Sequence, residues 1–488
     1  MYKNNKIPRS KGFLIGTILG AICFTSIVQA EPVDDHIKHI IKEKHIPGLQ
    51  LAVVKDGKII KQASYGFADL QHQVPVTAQT VFPINSMTKA FTGVAIVQLA
   101  EQGKLSIDDE IGKHLPELPK HWHALKINQL MAHTTGLPAI LNNARPIVAN
   151  DAEASWQAVL QQPFQFTPNS RFSYNQTGYV ILGKLIDKYV PEGFTAFIEK
   201  MQFNPVGMPQ TAQAGFDYMD FIVPHQSRQY IDMGDGKYKN LYLEFAPMLR
   251  TAAGMSSTAT ELAKYLIALQ QGKLVKDRNL LWTPVRLNNG RTEGFSLLEN
   301  GYAMGWQVVQ RKYHPAASAS GADAVTMITY PEDNISIVVL TNLLGSLPIA
   351  FVDEIAAYYI PDFNAEEKQK AYHPMAYLED LTNKVGFDNF AATLAQAETD
   401  TGVMYDLEIL TEWGNKLAEN NRATDAIAIF QFGLTQNNEH TYIVNSLAEA
   451  YEATKQYALA LKYYQRLLEL RPASEYAQTK VAALGKLL

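Results

Sequence analysis

Ser86-Met87-Thr88-Lys89 is the first place in this chain where residue types and spacing could do chemistry. On a helix, residues three apart share a face, so the lysine amine can reach the serine hydroxyl. A serine hydroxyl is a poor nucleophile until a base takes its proton. Lysine becomes such a base when burial and the positive end of a helix dipole disfavour its ammonium form. Lys89 is the sole charge between Phe82 and Leu99, at the start of an otherwise apolar stretch, an expensive place for a purely structural lysine. The tetrapeptide by itself also fits a helix-capping serine followed by a lysine that snorkels to water.

A wider set of residues bears on that choice. Ile46-Pro47-Gly48, Phe82 to Thr92, Gln129-Leu130-Met131-Ala132-His133-Thr134-Thr135-Gly136-Leu137-Pro138, Ala253 to Ala259 and Gly301-Tyr302-Ala303-Met304-Gly305-Trp306 occur in that order. Together they resemble the serine β-lactamase-like and penicillin-binding-protein-like hydrolases, a family with a Ser-x-x-Lys signature that includes D,D-carboxypeptidases, D-aminopeptidases and esterases. The resemblance covers residues 34 to 360. It implies an α+β fold, a nucleophilic role for Ser86 and a proton-relay role for Lys89. It also implies that Tyr174, in Tyr174-Asn175-Gln176, is the proton shuttle of the family's Tyr-x-Asn motif. Gln176 stands where that motif has Asn; it keeps the amide and adds a methylene, so it would orient Lys89 or a substrate carbonyl. The third motif, Lys-Thr-Gly or His-x-Gly on a bordering strand, is degraded. His314-Pro315-Ala316 is the candidate, with Ala316 in the glycine position, and Ala317 is then the expected backbone donor to an oxyanion. The departures at Gln176 and Ala316 point away from efficient β-lactam hydrolysis.

The elements that must position these residues are legible in outline. Asp34 to Lys44 reads as a helix, and Leu49–Val54 with Ile59–Phe67 as a hairpin turned at Asp56-Gly57. Ala90 to Leu99 is apolar on every side, the mark of a buried helix, and it stops at Gly103. Ala324–Tyr330 and Ile335–Leu340 form a second hairpin, and Leu347–Ile360 a closing helix. Hairpins near both ends with helices between them predict an antiparallel sheet made from the two termini: an α+β domain.

At 488 residues the chain is too long for one core. Lys3, Lys6, Arg9 and Lys11, the apolar run Gly12 to Val28, and Val28-Gln29-Ala30 have the layout of a cleavable secretory signal. This predicts a periplasmic or secreted protein cut after Ala30, with no stable membrane span afterwards. Cys23, the one cysteine, falls in that segment, so disulfides and a cysteine nucleophile are excluded from the mature chain. The expected division is a signal at 1–30, a hydrolase domain at 31–362, a linker at 363–374 and a helical module at 375–488. In the module Gly414, Leu417, Ala426 and Phe430 return 34 residues later as Ala448, Tyr451, Ala460 and Tyr464, and Pro472 closes the second copy. That period resembles tetratricopeptide repeats, and such an array implies a protein or peptide partner. A net charge of −5 gives no reason to expect nucleic acid. His36 with His39 and His121 with His123 lack a third ligand, and no phosphate or dinucleotide loop occurs, so no metal and no cofactor are expected. The expected partner of the site is a small molecule or a peptide. The expected function is acyl transfer through Ser86. The other reading is a catalytically weak relative that serves as a binding protein through its repeats.

Overall fold

A computed structural model describes residues 32–140, 152–216, 221–243 and 245–488. The signal segment and its Ala30 cleavage site lie outside them. Eight strands form one antiparallel sheet: β1 (Gly48–Lys55), β2 (Lys58–Asp69), β3 (Val74–Pro75), β8 (Gly301–Tyr302), β9 (Gln307–Val309), β10 (Ala316–Gly321), β11 (Val325–Tyr330) and β12 (Ile335–Thr341). Two short ribbons complete the strands: β4 (Phe82–Pro83) with β7 (Ser256–Ser257), and β5 (Gln229–Asp232) with β6 (Tyr238–Leu241). The order across the large sheet is β3-β2-β1-β12-β11-β10-β9-β8. The join between the termini is the β1–β12 pair, with Leu51 opposite Val339. Both predicted hairpins form. Asp56 and Gly57 take positive φ (50° and 70°), the left-handed pair that a two-residue turn demands.

Side chains alternate across these strands, so each face builds its own core. One face carries Ala317, Ala319, Val325, Met327 and Val338 against the helices of the middle region. The other carries Leu49, Leu51, Val53, Ile328 and Ile337, covered by Val33, Ile37 and Ile40 of the first helix, Pro32–Glu43. The helix Thr88–Glu101 runs through the first core, and every residue from Thr88 to Leu99 is buried. Its polar groups are all the more in need of partners there: Thr92 Oγ1 donates to Thr251 O at 2.7 Å and Gln98 Nε2 to Leu274 O at 3.0 Å.

Two expectations change. The closing helix is only Val352–Ala356, preceded by a 3-10 turn at Pro348–Ala350. Leu347 and Pro348 set that turn: Leu347 sits at positive φ, and Pro348 is best tolerated where a helical segment begins. The stretch 363–374 is not a loose connection. It contains the helix Glu366–Tyr372, and Phe363, Ala371 and Tyr372 are buried in the second core of the sheet.

Beyond it the chain is helical. Pro374–Val385 and Phe390–Thr401 come first, then Leu407–Glu419 with Ala423–Gln436, Thr441–Ala453 with Tyr457–Leu470, and Glu475–Leu484. Corresponding helices of the two middle pairs begin 34 residues apart, at 407 and 441 and at 423 and 457. The small residue at Gly414 lets the Phe430 ring fill the helix crossing. Leu297, from a loop of the hydrolase region, is buried in the core of this helical region. Lys312 N–H donates to Thr401 O at 3.0 Å across the same junction.

Candidate active site

Ser86 lies in a 3-10 turn, Asn85–Met87, that leads directly into the buried helix. Asn85 holds φ at 48°, a left-handed conformation that asparagine tolerates better than most residues. The turn presents Ser86, the one partly exposed residue between Val81 and Leu99, at the head of the helix. One turn on, Lys89 is 1% exposed. Its Nζ donates to Ala252 O at 2.8 Å and stands 4.8 Å from the Tyr174 ring centre and 5.1 Å from that of Tyr179. Burial holds the Lys89 ammonium below the usual lysine range, with Tyr174 opposing the shift. A lysine so placed is a group able to accept a proton.

Tyr174 is part of an aromatic box. His133 sits at its centre, 2% exposed, with ring centres at 4.4 Å to Tyr174, 5.2 Å to Tyr179 and 4.8 Å to Tyr302. Burial and the neighbouring Lys89 push His133 well below the ordinary histidine range, so its ring is neutral. His133 O accepts from Ser173 N–H at 2.9 Å, which ties its loop to the Tyr174 segment. Asn175 also serves this loop, its Nδ2 donating to Leu137 O at 3.0 Å. Gln176 caps the helix Thr177–Tyr189, and its Oε1 is buried without a hydrogen-bond partner among the described residues. The structure therefore assigns no contact with Lys89 to Gln176.

The Gly301–Trp306 segment seals the box from the other side. Its Met304-Gly305 backbone lies so close to the buried helix that a Cβ on Gly93 would overlap Met304 O, and one on Gly305 would overlap Lys89 O. Both glycines are required by this contact, and Gly305 also holds φ at 88°.

The third wall is the end of β10, and here the sequence reading needs correction. A Cβ on Gly321 would overlap Ile84 O and stand 3.1 Å from Ser86 N. The backbone that reaches the serine is therefore Gly321, not the His314–Ala317 stretch. Ala317 is mid-strand, opposite Thr329 on β11 and Val308 on β9, and is 1% exposed. A residue flanked by strands on both sides has no free backbone edge to offer a substrate. Pairing with β9 stops at Ser318, so β10 runs unpaired on that side from Ala319 onward. The strand then turns through Ala322 and Asp323, both at positive φ, closed by Ala324 N–H to Gly321 O at 3.0 Å. His314 lies beyond the opposite end of the strand; at about 3.3 Å per residue, Ala316 and Gly321 are already some 16 Å apart. There His314 Nδ1 pairs with Asp333 at 2.8 Å and its ring stacks on Phe363 at 5.2 Å. Its role is packing of the 363–372 segment.

Sequence reasoning gave no role to His133, Tyr179, Tyr302, Glu299 or Gly321. The signal for Gly321 was the first glycine after a run of alanine and serine, just before a hairpin turn. Beside the Tyr174 segment lies a cavity of about 390 Å³, walled by Arg171, Phe172 and Glu293 on one side and Asp406, Glu408 and His440 of the helical region on the other. Glu293 accepts from Phe172 N–H at 2.8 Å and so holds the backbone two residues before Tyr174. Among the described residues no group of three or more His, Cys, Asp or Glu is arranged to hold a metal ion, and no helix is long and apolar enough to cross a membrane.

A serine at a buried helix start, a buried lysine one turn away whose ammonium form is disfavoured, and a tyrosine against that lysine are the groups that serine acyl transfer uses. The chain belongs to the beta-lactamase family, whose model matches residues 33–359. It is 27% identical over 321 residues to Protein flp of Staphylococcus aureus (strain COL), covering 64% of this chain and 63% of that protein. The match thus spans less than two thirds of that relative's own length. Penicillin-binding protein 4* of Bacillus subtilis (strain 168) is 25% identical over 399 residues, 75% of this chain and 85% of its own. Among solved structures, the octameric penicillin-binding protein homologue from Pyrococcus abyssi superposes with a TM-score of 0.60 at 22% identity, covering 72% of this chain and 81% of that one. The D-amino acid amidase from Ochrobactrum anthropi SV3 gives 0.53 at 20% identity, covering 64% and 92%. These structural likenesses carry the fold.

Proposed function

We propose that this chain is an exported serine hydrolase that works through an acyl-enzyme on Ser86. The observation that carries the reading is Lys89: a lysine buried to 1% exposure, held below its usual range and set against Tyr174, one helical turn from a presented serine. Ser86 Oγ attacks a carbonyl carbon while its proton passes to Lys89 Nζ, directly or through Tyr174 Oη. The tetrahedral oxyanion is held by the Ser86 N–H and by a backbone N–H from the end of β10 that meets Ser86 at Gly321. One such donor is typically worth about 3–4 kcal/mol. Collapse expels an amine or alcohol, which takes the proton back through the same pair. Water then attacks the ester at Ser86 by the reverse relay and releases the acid.

The carbonyl belongs to an amide, an ester or a β-lactam. Relatives named as penicillin-binding protein, as D-amino acid amidase and as a hydrolase with promiscuous acyltransferase activity support that range. Export rests on the basic leader, the apolar run and Ala30. The 34-residue period supports a tetratricopeptide-like module that takes a protein or peptide partner. Mass spectrometry after a fluorophosphonate or penicillin probe tests the chemistry. An acyl or phosphonyl adduct on the peptide containing Ser86 is expected. No adduct with any serine-directed probe would overturn the reading and leave a binding protein.

A further inference from the structure

The rim of the site carries an acid that the acyl-transfer mechanism does not use. Glu299 lies two residues before β8, in the loop that leads to Tyr302 of the aromatic box. It reaches across to β10, where Ser318 Oγ donates to its Oε1 at 3.2 Å. Ser318 is the last residue of β10 paired with β9, so Glu299 stands where the open edge of the strand begins. Tyr302 and Asp323 are the other ionisable groups that feel its charge. Among the described residues Glu299 pairs with no cation. The strand from Ala316 to Gly321 carries none either, and the turn that follows adds Asp323.

This edge therefore carries two acids, Glu299 and Asp323, and no base among the described residues. Desolvation pushes the Glu299 carboxyl up to about 7, with the Ser318 hydrogen bond opposing and Asp323 adding to the rise. An acid strained in this way gains most from a cation brought beside it, because the incoming charge restores the ionised form that burial disfavours. A carboxylate brought to the same place meets like charge. We infer that Glu299 recognises a free amine on the substrate, so that this site prefers amides or esters of amine-bearing acyl groups and discriminates against substrates that carry a carboxylate along the β10 edge. The inference rests on the serine-hydrolase reading and assigns its substrate class.

The test uses the full-length protein and matched substrates: alanine p-nitroanilide in both enantiomers, the N-acetylated forms of each, neutral p-nitrophenyl acetate and carboxylate-bearing nitrocefin. The expected result is a kcat/KM at least about tenfold higher for the free amine than for its N-acetyl form in one enantiomer, the scale of one partly desolvated charge pair. In Glu299→Gln that ratio falls to within about twofold of unity. Should that variant not fold, as judged by circular dichroism, Glu299→Asp moves the carboxylate back by one methylene, and the ratio drops at least about threefold. Equal turnover of free and acetylated amines by the wild type overturns the inference, and so does a preference that survives Glu299→Gln. Nitrocefin turnover that exceeds that of the free amine overturns it as well. Ser86→Ala, run on p-nitrophenyl acetate, separates the two levels. Loss of ester turnover in Ser86→Ala without an amine preference in the wild type removes only the role of Glu299. Ester turnover that persists in Ser86→Ala removes the serine-hydrolase reading itself.

Discussion

The two ends of β10 are built from similar sequence and do opposite work. At the far end His314, Arg311, Asp333 and Asp353 form a closed polar knot, with Arg311 bound to Asp353 at 2.5 Å and stacked over Tyr372 at 4.5 Å. Every charge there has a partner, and the knot fastens the segment that leads to the helical region. At the near end Gly321 closely approaches the Ser86 backbone, one side of the strand is unpaired, Glu299 is bound by Ser318 with no cation beside it among the described residues, and Asp323 lies in the turn that follows. A charged side chain marks chemistry when its partners are missing, and structure when they are all present. A histidine near a glycine-poor strand looked like the first case and is the second.

Substitution at each end of β10 separates the two roles. The largest effect belongs to the near end: Ser86→Ala is expected to lower p-nitrophenyl acetate turnover by about 10³-fold or more. Wild-type turnover in that variant would remove the chemistry from this end altogether. Next comes Gly321→Ala, whose new methyl must displace the Ile84 carbonyl or the Ser86 amide; a loss of about 10²-fold in kcat is expected, with a smaller change in KM. Unchanged kcat would mean that the backbone contact at Ser86 is incidental. Truncation after residue 365 removes Ala371 and Tyr372 from the sheet's second core and takes away the closer of the two rings under Arg311, so the melting temperature should fall by several degrees or the protein should aggregate. A truncated chain with full melting temperature and activity would instead make the helical region a detachable unit. The smallest effect on rate is expected from His314→Ala, which should lower thermal stability yet keep turnover within about threefold. A large loss of activity there would return His314 to the site.

Much of this was legible before the fold was seen, for physical reasons that differ by element. The helix Thr88–Glu101 was readable because a run with no polar face has only one place to go. The two hairpins were readable from alternation and from Asp56-Gly57. Ser86, Lys89 and Tyr174 stood out because each belongs to a short motif whose parts are close in sequence, and the structure brings Lys89 and Tyr174 together. The end of β10 was not readable in the same way. Which residue of Ala316 to Gly321 meets Ser86 depends on strand register, and register is a long-range property that a run of small residues does not specify. The aromatic box was hidden for a related reason: His133, Tyr174, Tyr179 and Tyr302 come from separate segments, and only packing makes them neighbours. The 363–374 stretch looked like a linker because its charges were visible and the partners of Phe363 and Tyr372 were not.

Lys89 has a consequence that reaches past catalysis. Because burial lowers its proton affinity in the folded state, the unfolded chain binds a proton that the folded chain leaves in solution. Stability is therefore lost as pH falls from the ordinary lysine value of 10.5 toward the lowered one. Lys89→Met fills the same space without that penalty, and its melting temperature at neutral pH should equal or exceed the wild type's while turnover disappears. A variant that is both dead and less stable would show that the bond to Ala252 outweighs the burial. If the expected gain is found, a single substitution leads downhill in folding free energy from enzyme to inert relative. Selection for turnover is then what keeps the lysine in place, and any lineage released from it would drift toward a sturdier protein that no longer reacts.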